Sequence, residues 1–173
     1  MLAVNTVEVL NGNNLMVNNE KGLIQGNKTV NLNATGLTSE GNIKTKGDLN
    51  IALKESFILN NAFEANNLTF KTEGNFTNNT EQRVANKMTI SANHIENRAN
   101  AELSSNETML NSTNLINRGL IDGVNTVIKS SAVTNIGTGR IYGDHLAINA
   151  TTVENVAETV NGETKAATIA ARR

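Results

Sequence analysis

The feature that most constrains this chain is a spacing that recurs along it. Leu146, Ile148, Ala150, Val153 and Asn155 read as apolar, apolar, small, apolar and Asn, at steps of two, two, three and two residues. The same steps connect Val30, Leu32, Ala34, Leu37 and Ser39, and again Met88, Ile90, Ala92, Ile95 and Asn97. Thr108, Leu110, Ser112, Leu115 and Asn117 repeat them, as do Thr126, Ile128, Ser130, Val133 and Asn135. Two copies fit once extra residues are allowed at a corner: Leu49, Ile51, Leu53, Ile58 and Asn60, then Leu68, Phe70, Thr72, Phe76 and Asn78. A weaker copy, Val7, Val9, Asn11, Met16 and Asn18, opens the chain.

Each copy has a lead-in. Ile24, Ile43, Phe63, Leu103, Ile121 and Ile141 precede their templates by about five or six places, and a small or turn-forming residue follows most of them (Gly26, Gly47, Asn66, Ser105, Gly123, Gly143). Glycine at those corners is expected to supply a positive φ. Alternation with period two inside each copy means strands with one buried face. A strand–corner–strand unit of this length cannot bury that face alone, and stacking on a copy of itself solves the problem. The expected fold is all-β: a parallel β-helix, or β-solenoid, of about eight coils of 18–21 residues. At about 4.8 Å per coil the rod would be near 38 Å long. Ile51, Phe70, Ile90, Leu110, Ile128 and Ile148 are expected to form one buried row, which contains no charged residue.

Composition agrees with ribbon rather than helix. Roughly 30 asparagines, far above ordinary usage, are spread over the 173 residues with 13 glycines, and both residue types are poor helix formers. Proline is absent, as a long uninterrupted hydrogen-bonded ladder needs, because each proline deletes a donor. Cysteine is absent too, which removes disulfides and thiolate-ligated metals. A net charge of −1 and 3% aromatic residues argue against nucleic acid as a partner. No apolar run is long enough to span a bilayer. The opening MLAVNTVEVLNGNN lacks the charged and apolar regions of a signal peptide.

The recurring Asn at positions 60, 78, 97, 117, 135 and 155, spaced 18 to 20 apart, has two readings. Pointing inward, Asn60, Asn78, Asn97, Asn117, Asn135 and Asn155 would bond one another's amides in a ladder. Pointing outward, each is a turn residue that tolerates the left-handed region. One segment breaks the period. ETVNGETK (158–165) carries an Asn161-Gly162 pair, a strong hairpin signal, and reads as a hairpin projecting from the rod. It is either a carrier of specific contacts or a neutral insertion.

No catalytic, cofactor-binding or metal-ligating set is expected. The two histidines, His94 and His145, fall at different points of the coil. The three aspartates, Asp48, Asp122 and Asp144, are expected in widely separated coils, roughly 15 Å or more apart, beyond the reach of a catalytic carboxylate pair. Phosphate loops, nucleophile elbows and calcium-roll repeats are missing from the sequence. Asn-x-Ser/Thr triplets at Asn27, Asn33, Asn67, Asn106, Asn111 and Asn149 are what chance supplies in so Asn- and Thr-rich a chain, with glycosylation as the other reading.

GRIYGDHLAINATTVEN, followed by AATIAARR, resembles the haemagglutinin repeats of filamentous-haemagglutinin-type exoproteins of two-partner secretion. The same repeats build the stalks of contact-dependent growth-inhibition toxins. The identities concentrate in Ile141–Ala150 and in Thr168–Arg172, within a stretch from Gly139 to Arg173 that is about a fifth of the chain, while the looser repeat covers nearly all of it. The resemblance implies a right-handed parallel β-helix and export through an outer-membrane pore of the two-partner type. It also implies residence at the bacterial surface or in the medium, as a non-enzymatic shaft of an adhesin or toxin with a host glycan or protein as receptor. It further implies that residues 169–173 open another coil of a longer, uncapped protein. The alternatives are a β-helical polysaccharide lyase or hydrolase, and the passenger of a one-piece autotransporter.

Overall fold

The computed structural model describes residues 5–11 and 14–172, and these contain strands but no helix. The pairing is parallel throughout, apart from one antiparallel hairpin. The strands form a β-solenoid with three faces. The first face stacks Thr6–Leu10, Thr29–Ala34, Asp48–Leu53, Asn67–Thr72 and Lys87–Ser91, continues through the middle of two long strands, and closes with His145–Asn149. The long strands, Glu102–Asn117 and Leu120–Ile136, turn the corners without a break and serve all three faces.

Register fixes the rows. Val9, Leu32, Ile51, Phe70, Ile90, Leu110, Ile128 and Ile148 are consecutive partners on the first face. Eight stacked strands enclose seven turns, which at the usual spacing make a rod about 34 Å long. Most turns take 18 to 20 residues, whereas Glu8 and Asn31, neighbours across the first turn, are 23 apart. The extra residues fall between Leu10 and Met16. From Ile51 to Ile128 the row is almost fully buried. Ile148, on the last coil, is only partly covered but packs on the same core.

The template is one residue out of step in two places. Phe76 pairs with Phe57 and Asn78 with Leu59, so Phe57 and Leu59, not Ile58 and Asn60, point inward in that coil. Phe57 is 3% exposed and Ile58 51%. The physical reason is the packing of the chain's four phenylalanines. Phe57 lies 5.3 to 6.5 Å, centroid to centroid, from Phe70, Phe63 and Phe76. No isoleucine at this position could make these ring contacts, and with period-two side chains one residue of slip turns the whole strand over. In the first coil Val17 pairs with Leu37 and Asn18 with Thr38, so Val17 and Asn19 hold the row positions expected of Met16 and Asn18.

The corner glycines have a different role from the one expected. Positive φ among the described glycines occurs only at Gly137 and Gly162. At Gly123 and Gly143 the constraint is space. A Cβ would lie 2.8 Å from the Asn125 carbonyl oxygen and 2.7 Å from that of His145, respectively.

Candidate functional site

The interior polar groups form a column at the second corner. Asn78 Nδ2 donates to Asn97 Oδ1 (2.9 Å), Asn97 Nδ2 to Asn117 Oδ1 (2.8 Å), Asn117 Nδ2 to Asn135 Oδ1 (2.8 Å) and Asn135 Nδ2 to Asn155 Oδ1 (2.9 Å). Asn78, Asn97, Asn117 and Asn135 are fully buried, and Asn155, on the last coil, is exposed. Asn78, Asn117 and Asn135 also hold their own corners, whereas Asn97 donates to the Leu120 carbonyl in the next coil. Asn117 Nδ2 donates to the carbonyls of Gly119 and Arg140, and Gly119 N–H donates to Asn117 Oδ1. The structure therefore places these five in the inward arrangement of the two readings.

Asn60 is not in that column. It lies on the surface, where it accepts from Asn79 Nδ2 at 2.7 Å, and Asn79 in turn accepts from Arg98. Leu59 takes its row position and ends the column below Asn78. Leucine offers no amide, so Asn78 Oδ1 accepts only from Thr80 N–H of its own corner.

Two further polar devices lie inside the coil and were not anticipated. Gln82, fully buried, sits among the lead-in residues, paired with Leu103. Its Oε1 accepts from Phe63 N–H (2.7 Å) and its Nε2 donates to the Phe63 carbonyl (2.9 Å). Phe63 lies outside any strand, so the side-chain amide replaces the missing backbone pairing. Thr108 and Thr126 occupy positions held by Met88 and Leu146 in other coils. Their hydroxyls donate to the Asp122 and Tyr142 carbonyls, each at 2.7 Å. The signal for Gln82 was available: it stands six places before Met88, in the lead-in position.

The hairpin is formed by Thr152–Val160 and Glu163–Ala166, antiparallel from the Ala157/Ala166 pair to Val160/Glu163. Asn161 and Gly162 both have positive φ (52° and 78°), as a two-residue type I′ turn requires. Its base is fastened to the rod by Arg118, whose Nε and Nη2 reach Glu158 at 2.9 to 3.2 Å. That hydrogen bonding holds the Glu158 carboxyl below its ordinary range. A cleft of about 390 Å³ lies between hairpin and rod, lined by Arg118, Thr138, Glu158, Val160 and Lys165 among others. Its charges are matched within the protein, Arg118 by Glu158 and Lys165 by Glu163 at 3.4 Å.

The aspartates are not all far apart. Asp48 lies several coils away, but Asp122 and Asp144 sit in consecutive coils and share one guanidinium. Arg172 Nη1 is 2.6 Å from Asp122 and Arg172 Nε is 2.9 Å from Asp144. The expected separation fails here because Ile121 pairs with Ile141, which leaves one coil spacing between the two corners. Both carboxylates are spoken for by Arg172, whose own pKa is raised by Asp122 first and Asp144 second. A second clamp joins Arg83 to Glu102 through two bonds of 3.0 and 2.7 Å, and the bonds from Arg83 hold the Glu102 carboxyl below its usual range. His94 pairs with Asn114 and His145 with Asn125, on different faces. Among the described residues no three His, Cys, Asp or Glu side chains are grouped to hold a metal ion, and no helix is long and apolar enough to cross a membrane. Arg173, grouped by resemblance with residues 169–172, lies outside the described residues.

The fold and its internal columns define the class: a parallel β-solenoid repeat protein. No family model matches the chain, and no curated protein or solved structure matches it either.

Proposed function

We propose that the chain is a shaft segment of an exported, surface-exposed bacterial protein of the filamentous-haemagglutinin or contact-dependent-inhibition type. In this reading it carries a distal binding or toxic domain away from the cell. The observation that carries the reading is the use made of the interior: from Leu32 to Ile128 the rows are filled by packed apolar side chains, one amide column and a few polar side chains, such as Gln82, Thr108 and Thr126, that are bonded to the backbone. Successive coils add length without enclosing a reaction chamber. The absence of cysteine and proline suits a chain that crosses a membrane unfolded and zips into a ladder on the far side. The repeat resemblance over 141–150 and 168–172 favours a two-partner pore as the export route and a host glycan or protein as the eventual contact.

The test is cell-surface labelling. Antibody raised against the folded chain should label intact, unpermeabilised cells that produce the native protein, and external protease should abolish the signal. Labelling only after permeabilisation would overturn the proposal. A second reading, a β-helical enzyme acting on polysaccharides, draws on the Asp122/Asp144/Arg172 group in adjacent coils. Release of new reducing ends from polysaccharides, lost in Asp122→Asn, would establish it. Both carboxylates are already engaged by Arg172, which favours a clamp over an acid–base pair.

A further inference from the structure

The tip of the hairpin sets two reactive groups side by side and ties up neither. Asn161 is exposed, and its side-chain amide makes no hydrogen bond to the described residues. The asparagines of the inner column, by contrast, are bonded coil to coil. The N–H of Gly162, next in the chain, is likewise unbonded among the described residues, because the ladder closes at the flanking Val160/Glu163 pair. Glycine brings no side chain to shield that nitrogen, and a Cβ placed on Gly162 would meet nothing within 4 Å. Every other asparagine in residues 14–172 is followed by a residue with a side chain.

An asparagine amide and the backbone nitrogen that follows it can close a five-membered ring. The Gly162 nitrogen gives its proton to water or hydroxide and attacks Asn161 Cγ. A new C–N bond forms, the Cγ–Nδ2 bond breaks, and Nδ2 leaves as ammonia with a proton from solvent. Water then opens the succinimide. Addition at Cγ yields aspartate. Addition at the main-chain carbonyl yields isoaspartate, in which the chain runs through Cβ and Cγ. Nothing is oxidised or reduced, and water is the only co-reactant.

We propose that Asn161-Gly162 is a self-modification site, where the folded chain converts its own amide to aspartate and isoaspartate. The product alters the tip in two ways. It adds a negative charge two residues before Glu163. Isoaspartate also lengthens the main chain of a turn whose closure needs both central φ angles positive, here 52° and 78°, so the Val160/Glu163 pair opens. Val160, Asn161 and Glu163 line the cleft between hairpin and rod, and that wall of the cleft therefore loosens as the molecule ages. The proposal rests on the turn and does not depend on the export or adhesion reading.

Ageing of the full folded chain at mildly alkaline pH tests it, with tandem mass spectrometry to place each amide-to-acid mass shift and isoaspartyl methyltransferase labelling to detect isoaspartate. The shift should appear at Asn161 before any other asparagine in residues 14–172, and faster as pH rises, because the attacking nitrogen must lose its proton. Gly162→Ala sets a methyl group beside that nitrogen and should slow the conversion. Alanine is strained at this positive φ, so Asn161→Gly serves as the second variant. It keeps a two-residue turn of the same type and removes the reacting amide. NMR should show the Val160/Glu163 pairing fading in aged wild type and lasting in aged Asn161→Gly. An Asn161 that stays an amide, or that converts no sooner than the other asparagines, overturns the proposal. So does a Gly162→Ala chain that converts as fast as wild type, or a converted wild type that keeps the pairing intact.

Discussion

At the scale of single residues, the interior polar groups set the sharpest expectations. Asn117→Leu removes the acceptor for Asn97 and the donor to Asn135, and leaves the Gly119 and Arg140 carbonyls without this partner. Unmet buried polar groups cost about 1–3 kcal/mol, so the variant should unfold at lower denaturant concentration, with an unfolding free energy smaller by at least that amount. Equal stability would mean the column is dispensable. Gln82→Leu should cost a similar 1–3 kcal/mol, because Phe63 loses partners for both its N–H and its carbonyl. Ile90→Ala, in the fully buried row, should cost about 2–5 kcal/mol. The apolar row from Ile51 to Ile148 was legible from spacing alone, because a stacked coil repeats its inward positions at a fixed step. Phe57 and Leu59 were not. Their coil has a longer corner, and the choice between Phe57 and Ile58 is made by ring contacts with Phe63, Phe70 and Phe76, which the residues' order along the chain does not reveal.

At the scale of elements, the hairpin at 152–166 is a short ribbon on a single clasp. Asn161-Gly162 announced the turn, whereas nothing near it in the chain announced Arg118, 40 residues away from Glu158. The clasp has a pH dependence of defined sign. The Glu158 carboxyl is depressed by the Arg118 hydrogen bonds. Its contribution to docking is complete above the unfolded carboxylate value of about 4.3 and disappears as pH falls through the lower folded value. Nitrogen relaxation measured by NMR should show residues 158–165 gaining motion on acidification through that window, with the first-face strands unchanged. Glu158→Gln should show the same mobility at neutral pH. A hairpin equally ordered in both would remove Arg118 from its role. Asp122 and Asp144 teach the same lesson as Arg118: their distance in sequence concealed a shared guanidinium, because only register shows which corners lie one above the other.

For the whole molecule, each coil touches mainly its two neighbours, so stability is distributed along one dimension. Hydrogen exchange should be fastest at Thr6–Leu10 and Thr168–Ala171, which among the described residues pair on one side only, and slowest near Lys87–Ser91. Uniform protection along the rod would contradict this. The fold class was readable at this scale because the repeat outnumbers its irregularities. The expected number of about eight coils agrees with the eight strands stacked on the first face, which bound about seven turns.

The amide of Gln82 has a consequence for how such a rod can diversify. It lets one coil dispense with a strand on the third face while the coils on either side keep their alignment. The stretch just before Phe63 is therefore released from ladder duty, while Glu64 after it still bridges to Lys44, and foreign loops spliced before Phe63 would be carried on the outside while the spiral beneath them goes on unaltered.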